Sequence, residues 1–365
     1  NATVTDNGDG TSTVTPDADF NGDIAISFDV SDGTETVAAG VDLTVTSVND
    51  GPIAQDDSVI TDEDSSVLIN VLANDSDLEG TVSIDSVASP VMLNGVEVGT
   101  AEIVEAPVIV EMELNASDAT SVTNVYGGLQ EDQSYNSSAP VEFEGTTYDS
   151  AIGMYPERGR AEATFDIPEG ATGFSSTLGM LSSGQVDIRV YVDGVEAFYL
   201  DAMNAGNDSV LVDIEFTEGS QLTLVVGSSG GNENDAFVWA DPIFTVDQGT
   251  AQQIQFTPND TFDSLAVDEQ SAVGIDYVIV DEDGATSEAT ANVTVLGLND
   301  DVVVTGGIAA TVDEDGSFTL TQADLLANAS DVDGDSLSAG NLQVENATIT
   351  DNGDGTFTVA PDADF

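Results

Sequence analysis

The chain has 365 residues, of which 69 are Asp or Glu, 3 are Lys or Arg and none is His, for a formal charge of −66. Such a surface repels nucleic acid and anionic membranes, and with no Cys or His there is no thiolate nucleophile, no imidazole base, no Ser-His-Asp triad and no zinc or copper site of nitrogen and sulfur. Carboxylate-pair chemistry and oxygen-ligated cations remain, and no acid pair lies in an apolar, pocket-like stretch, so the expectation is a protein that is not an enzyme.

Hydrophobic residues make up 40%, too many for an acidic disordered tail, and no apolar run is long enough to span a bilayer. The chain opens at Asn1 without a charged and apolar leader and is read as a piece of a longer one, monomeric within it. The string DNGDGTSTVTPDADF at 6–20 returns as DNGDGTFTVAPDADF at 351–365. Asp62-Glu63-Asp64, preceded by Asn49-Asp50, returns as Asp313-Glu314-Asp315, preceded by Asn299-Asp300. The 56 residues from Asp6 to Asp62 and the 38 from Asp313 to Asp351 give a period of 94, whereas Asp62 to Asp313 spans 251, a surplus of 157. Repeat-like sequence resumes at Phe256-Thr257-Pro258-Asn259-Asp260-Thr261-Phe262, an echo of Val14 to Phe20, which places the surplus at 91–247. The expected organisation is therefore the end of one repeat over 1–49, a repeat split into 50–90 and 248–299, an inserted domain over 91–247, and the start of another repeat over 300–365.

In chain order, period-2 runs at Ile24–Val30 and Val41–Val45 predict strands, with Gly, Asp and Asn clusters between them. Within the insert, strands are predicted at Val108–Leu114, Arg160–Ile167, Phe174–Gly179, Val186–Val192, Val210–Phe216, Leu222–Val226 and Phe237–Phe244. Tyr277–Val280 continues the pattern beyond it, and helical turns are suggested only near Val71-Leu72 and at Gln322–Ala327. The fold class is all-β: tandem sandwiches with a second sandwich inserted.

The 46 Asp outnumber the 23 Glu two to one, a bias a merely solubilising surface does not need. Asp331-Val332-Asp333-Gly334-Asp335 carries carboxylates at loop positions 1, 3 and 5, the start of a Ca²⁺-loop spacing, but without the Glu at position 12 of an EF-hand. One such cluster is an ordinary turn as readily as a cation loop. Repetition, with so few basic residues to neutralise it, points to bound cations, and screening by a high-salt environment is the competing account.

The junction Val48-Asn49-Asp50-Gly51-Pro52, the Asp62-Glu63-Asp64 triplet, Val71-Leu72-Ala73-Asn74-Asp75-Ser76-Asp77 and the Thr-Pro-Asp-Ala-Asp-Phe string resemble the cadherin-like extender domains of bacterial repeats-in-toxin (RTX) adhesins. That resemblance implies Ig-like sandwiches stiffened by Ca²⁺ at the junctions. Asn49, Asp50, Asp62, Glu63, Asp64, Asp75 and Asp77 would serve one junction, and Asn299, Asp300, Asp313, Glu314, Asp315, Asp331, Asp333 and Asp335 the next. At Asp75-Ser76-Asp77-Leu78-Glu79 the third acid differs from that of the 331–335 loop, so the ion count does not transfer.

All three basic residues, Arg158, Arg160 and Arg189, fall in the insert with Trp239 and six of the seven tyrosines. Tyr, Trp and Arg supply rigid contact area with a polar handle, which marks the insert as the recognition module, although Phe165, Phe174, Phe216 and Tyr191 read more simply as core. Tyr148–Met154, Ala163–Pro168, Val190–Gly194, Leu222–Val226 and Asp235–Pro242 resemble the NPCBM family of carbohydrate-binding modules. This implies a jelly-roll sandwich holding sugars on its end loops beside a structural Ca²⁺, with Asp235 and then Asp241 as the metal ligands. Tyr155-Pro156 stands where the family commonly has His, so sugar specificity does not transfer. The expected ligand-binding residues are Tyr155, Glu157, Arg158, Arg160, Asn232, Asn234 and Tyr126, with Trp239 beneath or within the site. Arg158 and Arg160 would bond sugar hydroxyls or a sugar carboxylate, or else form salt bridges.

The function expected is that of an extracellular, calcium-dependent adhesin of a bacterial surface, binding a glycan of cells or biofilm matrix. A protein or peptide receptor, and a purely mechanical spacer, are the alternatives.

Overall fold

The computed structural model describes all residues except 126–127, 132–140, 144–145, 149, 157–158, 182–183, 205–208, 229–235 and 364–365. Nearly every element is a strand. Among the described residues helix is limited to Gln322–Leu325 and to single turns at Val71–Ala73 and Ala116–Asp118. The first of these starts where Thr321 and Asp324 cap each other reciprocally.

The chain divides into two compact units, 1–104 with 252–365, and 105–251. In the first, a four-stranded sheet draws on sequence from both sides of 105–251, in the order Asp57–Asp62, Thr286–Leu296, Gln270–Val280, Ser83–Val87. Its alternation is that of a half-buried sheet: Val273, Ile275, Tyr277 and Ile279 are buried while Gly274, Asp276 and their alternates are not. These side chains pack with Val293, Val295, Ile84, Ile254 and Phe256 in one core.

Val91, Val98 and Ala101 belong to that same core. Their placement moves the boundary from the expected 91–247 to 105–251. The cause is a hairpin: Asn94 and Gly95 both take positive φ, as a two-residue turn requires, and fold Val91–Leu93 back on Val96–Glu113. At Gly99 a Cβ would collide with the Thr257 carbonyl and the Phe256 ring, so this strand is seated too closely for a larger residue.

Residues 1–49 form two antiparallel pairs, Ala2–Asp6 with Ser12–Pro16 and Gly22–Ser31 with Thr36–Val45. In 300–365, Phe318–Thr321, Thr356–Pro361 and Ala347–Asp351 make a three-stranded sheet.

Unit 105–251 is a two-sheet sandwich. One sheet is ordered Ala119–Thr123, Arg160–Asp166, Gln221–Ser228, Gln185–Val192, Val195–Asn204. The other contains Gln130–Glu131, Ala151–Met154, the part of Phe237–Pro258 that precedes residue 252, Ala171–Met180 and Val210–Glu215. Between them lie Trp239, Phe165, Phe174, Phe237, Phe244 and aliphatic neighbours. Phe237 meets Trp239 edge-on with centroids 5.5 Å apart, within the favourable range for aromatic pairs. The strand Val195–Asn204 was not foreseen, because its acids and alanines break the expected alternation.

Candidate functional site

The acidic motifs regroup in three dimensions. Glu63, Asp300 and Asp333 each bring a carboxylate oxygen within 4.8 Å of the others. Backbone donors aim two of them: the Leu298 N–H donates to Glu63 Oε1 at 2.7 Å and the Asp300 N–H to Asp333 Oδ2 at 2.8 Å. Their second oxygens, Glu63 Oε2 and Asp333 Oδ1, are buried without a hydrogen-bond partner. Burial pushes the Glu63 carboxyl upward, with the charges of Asp300, Asp333 and Asp64 adding to it. Asp300 is likewise pushed up, by desolvation first and then by Asp333, Asp263, Asp64 and Asp331. All three arginines lie in 105–251, so this unit holds no Lys, Arg or His to balance the cluster.

Three carboxylates gathered this closely, two of them with a buried unpartnered oxygen, form an oxygen-only donor set, which suits a hard cation such as Ca²⁺. Two backbone-oriented carboxylates and a third acid fit such an ion.

This grouping corrects the expected ligand sets. Glu63 joins Asp300 and Asp333 of the second set, not Asn49 and Asp50 of its own. Asp62 Oδ1 accepts from the Asp64 N–H at 3.1 Å, which closes the turn that presents Glu63. In the second set, the Asp331 Oδ1 accepts from the Asp335 N–H at 3.1 Å, and Asn299 donates to the Asp300 carbonyl. Asp313, Glu314 and Asp315 are exposed and stand outside the cluster.

The first set separates further. Asn49 Nδ2 donates to Asp281 at 2.8 Å, a bond that leads the causes holding the Asp281 carboxyl below its usual range. The Asp50 N–H donates to Glu79 at 3.3 Å, while Asp77 Oδ1 accepts from the Glu79 and Gly80 N–H groups and Asp77 Oδ2 is buried without a partner. Asp75 turns elsewhere, to the buried Tyr277. The Tyr277 hydroxyl is 2.9 Å from the Gln55 carbonyl, 2.9 Å from Asp57 Oδ2 and 3.5 Å from Asp75 Oδ2. One hydroxyl proton faces three acceptors, and burial first of all pushes the Asp57 and Asp75 carboxyls upward. Asp263, Asp57 and Tyr277 were not foreseen, since each lies outside the acidic motifs and meets neighbours distant in sequence.

In 105–251, Tyr126, Glu157, Arg158, Asn232, Asn234 and Asp235 lie outside the described residues. Trp239 is wholly buried, with its indole N–H 3.2 Å from the Met154 sulfur, and Tyr155 is 4% exposed. Neither ring therefore offers a surface to a ligand. Arg160 is exposed, and its Nε lies 2.8 Å from Glu162. Asp241, at φ 43°, accepts from the Ser150 N–H at 3.3 Å.

Three domain families match parts of the chain: a cadherin-like domain over 1–46 and 298–365, a bacterial Ig domain over 49–126, and the NPCBM/NEW2 domain over 111–245. Comparison with curated proteins finds no match. Among solved structures, a CBM51 module from Clostridium perfringens GH95 in complex with methyl-galactose is 21% identical with TM-score 0.32, covering 37% of this chain and 99% of that one. A CBM51-2 and INT fragment of Clostridium perfringens ZmpB in complex with GlcNAc is 20% identical with TM-score 0.34, covering 54% of this chain and 48% of that one. The chain is thus all-β, with separate parts matching cadherin-like, bacterial Ig and NPCBM/NEW2 domains, and among its described residues no helix is long and apolar enough to cross a membrane.

Proposed function

We propose that this chain is a segment of a calcium-dependent bacterial surface adhesin, of the RTX type, in which a cadherin-like repeat is split by a non-catalytic glycan-binding sandwich. The match of 111–245 to the NPCBM/NEW2 domain carries the glycan half of this reading. The calcium half rests on the unpartnered buried oxygens of Glu63 and Asp333 beside Asp300. On this reading Ca²⁺ neutralises the cluster, tying the 62–64 turn to the 298–300 segment and the 331–335 loop, so that the repeats form a stiff stalk. The glycan would belong to a host cell or biofilm matrix.

The test is a glycan array probed with the full chain in Ca²⁺ and in chelator, with isothermal titration of Ca²⁺ alongside. Binding to a defined glycan class, and calcium uptake that Glu63→Gln weakens, are expected. An array without any binder would reject the glycan half, and a flat calcium titration would reject the other.

A further inference from the structure

The two described arginines share one surface. Inward residues of the strand Gln185–Val192, namely Val186, Ile188 and Val190, have no exposure, so Asp187, Arg189 and Tyr191 stand on the outer face of the five-stranded sheet. Pairing of Arg160 with Gly227, and of Gly227 with Asp187, puts Arg160 on that face too.

An Asp193-Gly194 turn, both residues at positive φ, sets the register Val192 opposite Val195. Tyr191 then pairs with Glu196, but Val190 pairs with Phe198, so Ala197 is bulged out of the ladder. This single extra residue turns Phe198 inward and lays Tyr199 opposite Arg189 on the outer face. The Arg189 guanidinium sits 4.6 Å from the Tyr199 ring centroid. Tyr199 nevertheless remains 47% exposed, on the sheet's edge strand.

Polar groups are fixed around that ring. Arg189 is 3.4 Å from Asp187, whose carboxylate lies where a Cβ at Gly227 would collide with it. The glycine leaves room for this acid to cross the neighbouring strand. Tyr191 donates its hydroxyl to Glu196 at 3.4 Å, and Arg160 lies 5.7 Å from the Tyr191 centroid. With Glu162 bound to Arg160, two guanidinium groups meet three carboxylates.

We propose that this outer face is a glycan-contact surface, with the Tyr199 ring as the stacking platform, Arg189, Asp187 and Glu196 as the hydrogen-bonding rim, and an uncharged pyranose as its ligand. The proposal rests on the glycan-binding reading above and specifies its site and ligand class. A pyranose presents a flat face of C–H groups bordered by hydroxyls, and the surface matches it with a flat ring bordered by donors and acceptors already held in place. The charge balance decides against an acidic sugar. Each arginine is matched by a carboxylate, one carboxylate is in excess, and the chain carries −66. A peptide would need apolar pockets for its anchors, and this face offers one exposed ring among charged groups.

The experiment is saturation-transfer and Arg Nε–H NMR on the full chain, titrated to about 50 mM with methyl β-galactoside, methyl β-glucoside and methyl β-glucuronide, a range that detects millimolar affinity. A neutral glycoside is expected to bind and to shift the Arg189 Nε–H signal, assigned by Arg189→Lys. Tyr199→Ala should weaken it at least tenfold at unchanged melting temperature, and Leu211→Ser, exposed on the other sheet, should bind as wild type. Neutral binding unaffected by Tyr199→Ala would overturn this site while leaving the glycan-binding reading intact. Glucuronide binding in preference to the neutral sugars would overturn the ligand class. If no pyranoside binds, and an array of larger glycans is also silent, both the site and the wider reading fail; an array hit that survives Tyr199→Ala rejects the site alone.

Discussion

In residues 105–251 the core is built on Trp239, Phe165, Phe174, Phe237 and Phe244, none more than 2% exposed. The flanking unit has Tyr277, Phe256 and Phe262 as buried rings, and no described residue of 1–49 or 300–365 is buried at all. The difference extends to charge. All three arginines are in the sandwich, where Arg160 and Arg189 are matched to acids, whereas the other unit gathers Glu63, Asp300 and Asp333 with no basic side chain to meet them. Two sources of stability therefore coexist in one chain. Packing holds the sandwich; the acidic unit has a packed core of its own and, on the proposed reading, also needs its buried carboxylates neutralised.

The sharpest way to break this comparison is to damage packing alone. Phe174→Ala removes a ring in contact with Phe244, 5.6 Å between centroids, and should cost the sandwich about 3–5 kcal/mol. Urea unfolding followed by Trp239 fluorescence should show that loss, while the circular-dichroism transition of the acidic unit stays in place. Equal loss in both transitions would mean the units do not unfold independently.

Calcium removal is the converse test. By linkage, a saturating cation bound only to the native state contributes roughly 3–4 kcal/mol, so chelation should lower the melting transition of the acidic unit by about 10–20 °C and leave that of the sandwich within a degree or two. An unchanged scan at low ionic strength rejects a structural cation, and rescue by molar NaCl as complete as by Ca²⁺ favours simple screening.

Glu63→Gln separates charge from shape with a smaller effect. The amide oxygen can still accept from Leu298, but one carboxylate is lost. Calcium affinity should fall at least about tenfold by titration. In chelator the same variant should melt higher than wild type, because a buried, repelled charge has gone. A variant less stable in both conditions would show Glu63 to be held for its packing.

The smallest effect is that of pH on the calcium-free chain. Glu63 and Asp57 are pushed up by burial, so the folded state binds protons more readily than the unfolded one. Stability from these groups is complete below their unfolded values, near pH 4, and is lost as pH rises through their folded values. The urea midpoint of the acidic unit should fall by roughly a few tenths molar between pH 4 and 7. Asp281, held low by Asn49, acts oppositely, and only below that window. A midpoint that rises with pH across it would contradict the raised carboxyls.

Much was written in local order. Period-2 alternation identified Arg160–Asp166, Gln185–Val192 and Val210–Glu215 within a residue or so, because a strand's two faces are encoded at every second position. Internal repetition raised the expectation of an interruption, and the acidic motifs that of bound cations. Tertiary structure alone decided which acids meet. Glu63 and Asp333 are 270 residues apart in sequence, and their approach depends on how strands drawn from both sides of 105–251 pair, which no spacing records. It also decided which aromatics are reachable: Tyr155, expected at the ligand, is interior, as is Trp239, expected beneath or within the site, while Tyr199 faces solvent because one bulged residue, Ala197, reverses the alternation of its strand. Composition identifies the groups a chain has, but a one-residue change of register determines the side on which each is found.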